Sequence, residues 1–166
     1  MPNLWDISQL EPGTTRGLAG ETVPAIFWNG VRERESLIWL RQKKLGIWRS
    51  WTWKQTGEMV REVGCGLMAS GLQPGECVSI LSNTIVEWVF ADIGAMSAGA
   101  VSSGIYPTDS ASQVLYLCED SKTVFIFVED EEQLDKVLSV RSRLPLLRKV
   151  VVIDTTGLQR FNDPQV

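Results

Sequence analysis

The chain has 166 residues, a formal net charge of −4 and no histidine. Its length fits one domain, or one domain and part of a second, and its 44% hydrophobic and 22% charged fractions are those of a globular protein. Without histidine the chain cannot contain a Ser-His-Asp triad, a Cys-His pair or a His-ligated zinc site. The acidic balance argues against a general nucleic-acid-binding protein, because binding to phosphates needs a basic surface.

The cysteines and the N-terminus favour a cytoplasmic protein. Cys65, Cys77 and Cys118 show no CxxC spacing and lie among apolar neighbours, which predicts buried, reduced thiols. The first residues lack the basic and apolar regions of a signal peptide. The longest uncharged stretch, residues 93–108, is too short and too rich in Gly and Ser for a transmembrane span.

The N-terminal third is irregular and rich in tryptophan. Residues 1–21 contain several Gly and Pro residues and are interpreted as a loose lead-in, and residues 22–53 form a Trp-rich segment. Within that segment, 36–41 and 47–53 are predicted strands of a β-hairpin around Gly46, because Trp and Ile favour a half-buried pleated surface. We expect the tryptophans to bury this hairpin against the sheet layer; the alternative is that some of them face a partner domain.

From Lys54 onward the pattern becomes regular. Capping boxes at Thr52–Gln55, Thr84–Glu87 and Ser110–Gln113 predict three helix starts, and Asp130 begins a fourth helix. Gly71 suits the C′ position that ends the first of these helices. Four short apolar runs that lie between or after the helices are predicted strands: 77–81, 100–105, 124–128 and 149–153.

This alternation of helices and strands predicts an α/β fold, a mostly parallel sheet with helices on both faces, preceded by the Trp-rich β-hairpin. We assign the α/β subdomain to residues 54–154 and interpret residues 155–166 as a polar connector. Ligands of such sheets bind beyond the carboxyl ends of the strands, which here are the loops 82–83, 106–109, 129–130 and 154–156. Turn formation and helix capping also account for the residue types in these loops.

Several phosphate-binding motifs are missing. Neither a GxGxxG fingerprint nor a Walker A motif follows the first strand of the sheet, where Ser82-Asn83-Thr84 stands instead. Pro12–Gly17 resembles a phosphate loop, but it has no lysine in the usual place and no strand leads into it. Two charge clusters are interpreted as solvated surface, with an intersubunit or interdomain contact as the alternative: Arg41, Lys43, Lys44, Arg49 and Lys54, and Glu129–Glu132 with Asp135.

Two longer segments point to a family. Gly46–Trp53 resembles the stretch before the first large helix of the AMP-forming acyl-CoA synthetases of the long-chain fatty acid–CoA ligase type, and Gly71–Asn83 resembles their next helix-to-strand passage. Five shorter pieces continue the resemblance in the same order, so that it covers residues 20–160: Glu87-Trp88, Ala91-Asp92, Gly99–Val101, Ile105–Thr108 and Phe127–Leu134.

The resemblance implies the first subdomain of an adenylate-forming ligase, which uses ATP, Mg²⁺ and coenzyme A to convert a fatty acid into its acyl-CoA thioester. The family's phosphate loop with its Lys, its Tyr-Gly-x-Thr-Glu motif, its ribose-binding Asp and its C-terminal domain with a catalytic Lys lie downstream of the matched region. We therefore expect this chain alone to be inactive, to bind none of these cofactors tightly and to require the downstream domains as partners. The matched loop borders the coenzyme A entrance in related members, so Tyr106, Pro107 and Thr108 are the candidate binding residues; the alternative is that they only shape a turn.

The resemblance is compatible with a homo-oligomer and with a peripheral membrane contact of the parent enzyme.

Two interpretations of the chain other than an N-terminal part of a single-chain ligase are also considered. The first is a stand-alone, non-catalytic α/β module for binding or assembly. The second is a ligase whose remaining domains come from a separate polypeptide. A domain separated from its partner should also expose apolar surface and self-associate.

Overall fold

The structure is a computed structural model that describes residues 22–159, 161 and 163. Its helices are α1 Val23–Glu33, α2 Trp53–Ala69, α3 Val86–Ser97, α4 Ala111–Asp120 and α5 Glu131–Val140, followed by a 3₁₀ turn at Arg141–Arg143. Its strands are β1 Ile38–Lys44, β2 Ile47–Thr52, β3 Cys77–Leu81, β4 Val101–Ile105, β5 Thr123–Val128 and β6 Lys149–Val152.

Four of the strands form a parallel sheet in the order β4-β3-β5-β6, and β1 and β2 form a separate antiparallel hairpin. Every residue of β3 and β5 is buried, because helices cover both faces of the sheet. One face packs with α4 and α5 and the other with α2 and α3. The predicted α/β architecture and its hairpin are confirmed. Strands β4 and β6 are the two edges of this sheet within the described residues.

Two of the three predicted capping boxes form, at Thr52 and at Ser110, each with the reciprocal Gln side chain three residues later. The prediction at Thr84 is wrong. Helix α3 begins after Ile85, which has no side-chain cap, and the Ile85 amide donates to the Asn83 carbonyl at 2.8 Å. The chain makes a tight turn there before the helix starts, so Thr84 is displaced from the capping position.

Helix α1 has no counterpart in the sequence prediction, which found no regular pattern in that segment. The Thr22 hydroxyl accepts the Ala25 amide at 3.3 Å, and Pro24 lies in the first turn, where its missing N–H costs nothing. The apolar residues of α1 pack on the hairpin. The Phe27 ring lies 5.1 Å from that of Trp39, which stacks on Trp53 at 4.6 Å.

These contacts correct the prediction for the tryptophans. They bury the root of the hairpin against helices and not against the sheet: Trp39 packs on α1 and α2, and Trp51 meets Phe90 of α3 at 6.5 Å. The sheet is already covered on this side by α2 and α3. Trp48, nearer the tip, stays 63% exposed.

The hairpin turns at Leu45 and Gly46, which both have positive φ values of 50° and 82°. Positive φ at both central residues is the geometry of a type I′ turn, which matches the twist of the flanking strands. Glycine adopts this conformation freely, whereas a leucine there costs about 1–2 kcal/mol. The Leu45 side chain is 95% exposed and gains no packing in return.

The cysteines follow the prediction in part. Cys77 and Cys118 are buried and free, and burial raises the pKa of the Cys118 thiol to about 11, so that it stays protonated at neutral pH. Cys65 is free but exposed, so its predicted burial is wrong. It lies on α2 between Gly64, which is buried, and Gly66, which is exposed.

Helices α2 and α3 approach closely because glycines lie at their crossing. A Cβ placed on Gly94 would lie 2.7 Å from Val63 Cγ1 and 3.2 Å from the Val60 carbonyl oxygen. A Cβ on Gly64 would lie 3.1 Å from the Gly94 carbonyl oxygen. The crossing therefore has no room for a methyl group at Gly94.

We expect Gly94→Ala to lower the free energy of unfolding by about 1–3 kcal/mol, because the methyl group would overpack this crossing. Gly66→Ala is the matched control on α2, since a Cβ there meets nothing within 4 Å. The control should be neutral or stabilising, because Ala has the higher helix propensity. Urea unfolding followed by circular dichroism measures both variants, and equal midpoints would contradict the close approach.

Candidate functional site

The carboxyl edge of the sheet is organised by Glu129, which follows β5. One oxygen of its carboxylate, Oε2, accepts the Asn83 backbone amide at 2.6 Å, the Asn83 side-chain amide at 2.9 Å and the Ser82 hydroxyl at 3.2 Å. Ser82 and Asn83 follow β3, so this carboxylate fastens the ends of two neighbouring strands together. The prediction that the acidic run Glu129–Glu132 is solvated surface is wrong for Glu129, whose carboxylate is a structural acceptor.

The loop after β4 is a turn in which the Asp109 amide donates to the Tyr106 carbonyl at 3.0 Å. Pro107 lies second in this turn, the position for which its fixed φ is suited. The Lys136 ammonium of α5 donates to the Pro107 carbonyl at 2.5 Å and to Gln133 Oε1 at 3.0 Å. This turn is therefore tied to α5, while the Tyr106 side chain remains 77% exposed.

These two loops border a cleft of about 340 Å³, here called the β3–β4 cleft. Its wall consists of polar residues from the loop after β3, residues from the end of β4 and its turn, and one indole from α3: Ser82, Asn83, Thr84, Gly104, Ile105, Tyr106, Pro107 and Trp88. A Cβ placed on Gly104 would lie 3.4 Å from the Trp88 ring, which is ordinary van der Waals contact, so the indole packs directly beside β4.

The structure brings Tyr106 and Pro107 into the β3–β4 cleft, whereas Thr108 lies on the exposed turn outside its lining. Their predicted role in ligand binding stays a prediction. Sequence reasoning found the Ser82-Asn83 loop but missed Trp88. The signal for Trp88 was its place in the first turn of the helix that starts after this loop, because that turn stands at the same edge of the sheet.

The two charge clusters of the sequence meet across a second cleft, of about 520 Å³, between the hairpin and the sheet edge. Lys43, Lys44 and Arg49 line it on the hairpin side, and Glu87, Glu129, Asp130 and Asp154 line it on the sheet side. Asp130 and Asp154 each accept hydrogen bonds from residues close by in the chain. The Asp130 carboxylate accepts the Gln133 amide at 3.1 Å as the cap of α5.

The carboxylate of Asp154 is held by its own loop. The Thr156 hydroxyl and the Thr156 backbone amide donate to its carboxylate at 2.7 and 3.0 Å. These hydrogen bonds are the main reason that the pKa of the Asp154 carboxyl is lowered, and the charge of Lys44 lowers it further. Asp154 in the second cleft is therefore engaged by its own loop.

A third cleft, of about 640 Å³, lies between α2 and the face of β5 and β6, and is here called the apolar cleft. Its walls are mainly hydrophobic side chains of the helix, the two strands and the segment after β6, among them Met59, Val63, Phe125, Phe127, Val151 and Leu158. It lies away from the β3–β4 cleft and shares no residue with it.

Metal-binding residues are not brought together in this part of the chain. Among residues 22–159, 161 and 163, no group of three His, Cys, Asp or Glu side chains could hold a metal ion, so Mg²⁺ is assigned to no residue here. No helix in the described ranges is long and apolar enough to cross a membrane. The loop-like stretch Pro12–Gly17 lies outside the described residues.

We expect Glu129→Gln to lower the free energy of unfolding by about 1–3 kcal/mol, because three donors would lose a charged acceptor. Asp135→Asn is the matched control, because Asp135 is exposed on α5 and its replacement removes the same charge. Urea titrations of both variants measure the effect. An equal midpoint for the two would show that the carboxylate does not fasten the strand ends.

Comparison with known proteins gives consistent matches. The family model for "AMP-binding enzyme" matches residues 27–165. The chain is 32% identical over 143 residues to the long-chain-fatty-acid–CoA ligase ACSBG2 of Xenopus laevis, covering 86% of the chain and 19% of that protein. It is 30% identical over 137 residues to the long-chain-fatty-acid–CoA ligase FadD15 of Mycobacterium bovis, covering 82% of the chain and 23% of that protein. The chain therefore spans about a fifth of the length of these relatives.

Solved structures show the same fold. The anthranilate CoA ligase AuaEII, in complex with anthranoyl-AMP, matches with a TM-score of 0.71 at 25% identity, over 81% of this chain and 26% of that one. The N-terminal domain of FACL13 from Mycobacterium tuberculosis matches with a TM-score of 0.73 at 15% identity, over 88% of this chain and 37% of that one. Because the family model covers most of the chain, the protein belongs to the AMP-binding enzyme family, among whose members its relatives are long-chain fatty acid–CoA ligases.

Proposed function

We propose that this chain is the N-terminal part of an ATP-dependent fatty acid–CoA ligase. In that reaction the fatty carboxylate attacks the α-phosphate of ATP, pyrophosphate leaves, and the thiol of coenzyme A then displaces AMP to form the thioester. The observation that carries the proposal is the match of the AMP-binding family model to residues 27–165, together with long-chain ligases as relatives over 82–86% of the chain.

The chain supplies a scaffold to that reaction and not its phosphate chemistry. Catalysis of this type depends on neutralising phosphate charge with positioned donors and a metal ion. The sequence contains neither the Ser/Thr/Gly-rich loop with its Lys nor the Tyr-Gly-x-Thr-Glu motif. No described residues gather into a metal-binding group. We therefore propose that ATP, Mg²⁺ and coenzyme A are reactants of the whole enzyme and that none of them binds tightly to this chain.

We expect the purified 166-residue chain to give no fatty-acid-dependent exchange of pyrophosphate into ATP, since it lacks the residues that would stabilise the charge at the α-phosphate during adenylyl transfer. The assay should include a complete long-chain ligase as the positive control and the chain without fatty acid as the blank. Exchange above the blank would contradict the assignment of a scaffold role, while leaving the family membership unchanged.

The β3–β4 cleft is the part of this chain that we propose to face coenzyme A. Three features support the proposal. Tyr106 and Pro107 line the cleft at the carboxyl edge of the sheet, where ligands of α/β folds bind. Trp88 and Tyr106 offer aromatic surface beside the amide of Asn83, a combination that suits a partly apolar ligand with amide groups. The cleft is preformed, because Glu129 and Lys136 fix its two loops.

Thr108 enters this proposal only because it lies on the same turn as Tyr106 and Pro107. Its exposure leaves it able to meet a ligand that extends out of the cleft, but it does not line the cleft itself. The alternative is that Pro107 and Thr108 do no more than form the turn closed by Asp109 and Tyr106. A direct test of ligand contact at Tyr106 separates these two roles.

The two tyrosines of the chain provide that test, because Tyr106 lines the cleft and Tyr116 is similarly exposed, at 65%, but on α4. In a chain labelled only at tyrosine, we expect titration with millimolar coenzyme A to shift the NMR signal of Tyr106 and leave that of Tyr116 in place. Tyr106→Ala assigns the signals. Equal shifts, or none at either tyrosine, would favour the turn-forming role.

The apolar cleft supports the proposal that the chain works with partner domains. A preformed apolar cleft suits the hydrophobic groups of a binding partner, and here it is formed by α2, β5, β6 and the segment after them. We propose that the downstream domains of the same enzyme are the partners. The second proposal is a homo-oligomer that forms through this surface. Both a downstream domain and a second copy of the chain would bury the same hydrophobic side chains.

A further inference from the structure

The hairpin tip, defined as residues 43–49, exposes three large apolar side chains. Leu45 is 95% exposed, Ile47 69% and Trp48 63%. The root of the same hairpin is packed through Trp39 and Trp51 on the helices beneath it. The tip is therefore an apolar projection on a fixed base.

The conformation of Leu45 indicates that its side chain does not serve folding. Leu45 has a φ of 50°, in the left-handed region that Asn and Gly adopt with less strain. Its side chain stands almost wholly in solvent and so gains nothing from burial within its own chain. A strained residue without packing directs attention to a contact outside the fold.

The apolar cleft is a concave surface of matching chemistry. Its volume of about 640 Å³ leaves room for more than one large side chain. Met59 and Phe161 line it and are 39% and 40% exposed, so apolar atoms at the cleft still face water. Contact between the tip and such a cleft would remove apolar surface of both from water, which is the main favourable term in most protein association.

The position of the tip favours the cleft of a second copy over the cleft of its own chain. The second cleft, lined by Lys44 and Arg49 of the hairpin, shares Thr155 with the apolar cleft, so the hairpin and the apolar cleft adjoin the same region of the molecule. Within one chain the hairpin is fixed at its packed root and stands across the second cleft from the sheet edge. In a two-fold pair, each copy can offer its tip to the other, and the two contacts are equivalent.

The distribution of charge is also complementary between two copies. The hairpin from Ile38 to Thr52 contains four basic residues and no acidic one, whereas the whole chain has 16 basic and 20 acidic residues. The remainder of a second copy is therefore acidic overall. At the apolar cleft, Glu62 of α2 has the charge opposite to that of the tip, while Lys149 of β6 is also among the lining residues. Attraction between the basic hairpin and the acidic remainder would help to orient the two copies.

We propose that two copies of this chain form a two-fold dimer in which the tip of each hairpin, through Leu45 and Trp48, enters the apolar cleft of the other copy. The inference rests on the proposed self-association through that cleft and names the element that fills it. It involves no ATP, fatty acid or coenzyme A. Its failure would therefore leave the proposed ligase function unchanged, and a failure of the ligase function would leave the dimer unchanged.

Sedimentation equilibrium of the 166-residue chain over a range of concentrations measures the association. We expect a reversible monomer–dimer equilibrium that weakens as salt is added. Leu45→Asn should raise the dissociation constant at least about tenfold, because the lost apolar contact occurs twice in the dimer. Asn suits the left-handed conformation, so the melting temperature should stay equal or rise. Leu146→Asn is the matched control, since Leu146 is 53% exposed and belongs to neither the tip nor the apolar cleft.

The methionine methyl groups identify the surface that the tip contacts. Met59 lines the apolar cleft, whereas Met68 lies on the same helix outside its lining. In a chain labelled at the methionine methyl groups, we expect the NMR signal of Met59 to move as the concentration rises and that of Met68 to stay in place. Leu45→Asn should abolish this movement, and Met59→Leu assigns the signal.

Three results would overturn the proposal. The first is a monomer at every concentration. The second is a dimer whose dissociation constant Leu45→Asn leaves unchanged, and the third is a dimer in which the Met59 signal does not move. Either of the last two would show that the copies associate through another surface.

Discussion

Burial of β3 and β5 on both faces is the constraint on which the rest of this structure depends. A parallel pair of strands that is hidden from water on both sides needs a helical layer above and below it, and the chain supplies these layers with α2 and α3 on one face and α4 and α5 on the other. The close crossing of α2 and α3 follows from the same requirement, because both helices must fit over a narrow sheet. Glycine at positions 64 and 94 makes that crossing possible.

The arrangement also determines where polar chemistry can lie. Strands buried on both faces expose polar groups only at their ends, and the carboxyl ends of β3, β4 and β5 meet at one edge. There the Glu129 carboxylate and the Lys136 ammonium use their charges to hold the loops at Asn83 and Pro107. Charged groups at this edge thus serve to shape the β3–β4 cleft, which is consistent with the proposed scaffold role.

Local sequence patterns correctly predicted the elements that depend on residues adjacent in the chain. The capping boxes at Thr52 and Ser110 and the apolar run of β5 each depend on a few adjacent residues, and all three form as expected. The failures have two causes. The capping box at Thr84 was displaced by a local turn between Asn83 and Ile85. Helix α1 has a local start signal in Thr22 but is stabilised by packing with Trp39 and Trp53, and Glu129 acts through residues 46 positions away, so a short window of sequence does not show these contacts.

Both edges of the four-stranded sheet remain available for strand addition within the described part of the chain. Strands β4 and β6 each have a neighbour on one side only, so a row of backbone amides and carbonyls on the other side can pair with a further strand. The same groups are a hazard for edge-to-edge aggregation. Here β6 is only four residues long and begins with Lys149, and short length and a lysine are the two devices that limit such pairing. The β6 edge, next to the apolar cleft, can therefore accept a further strand, while its short length and Lys149 limit pairing with unrelated strands.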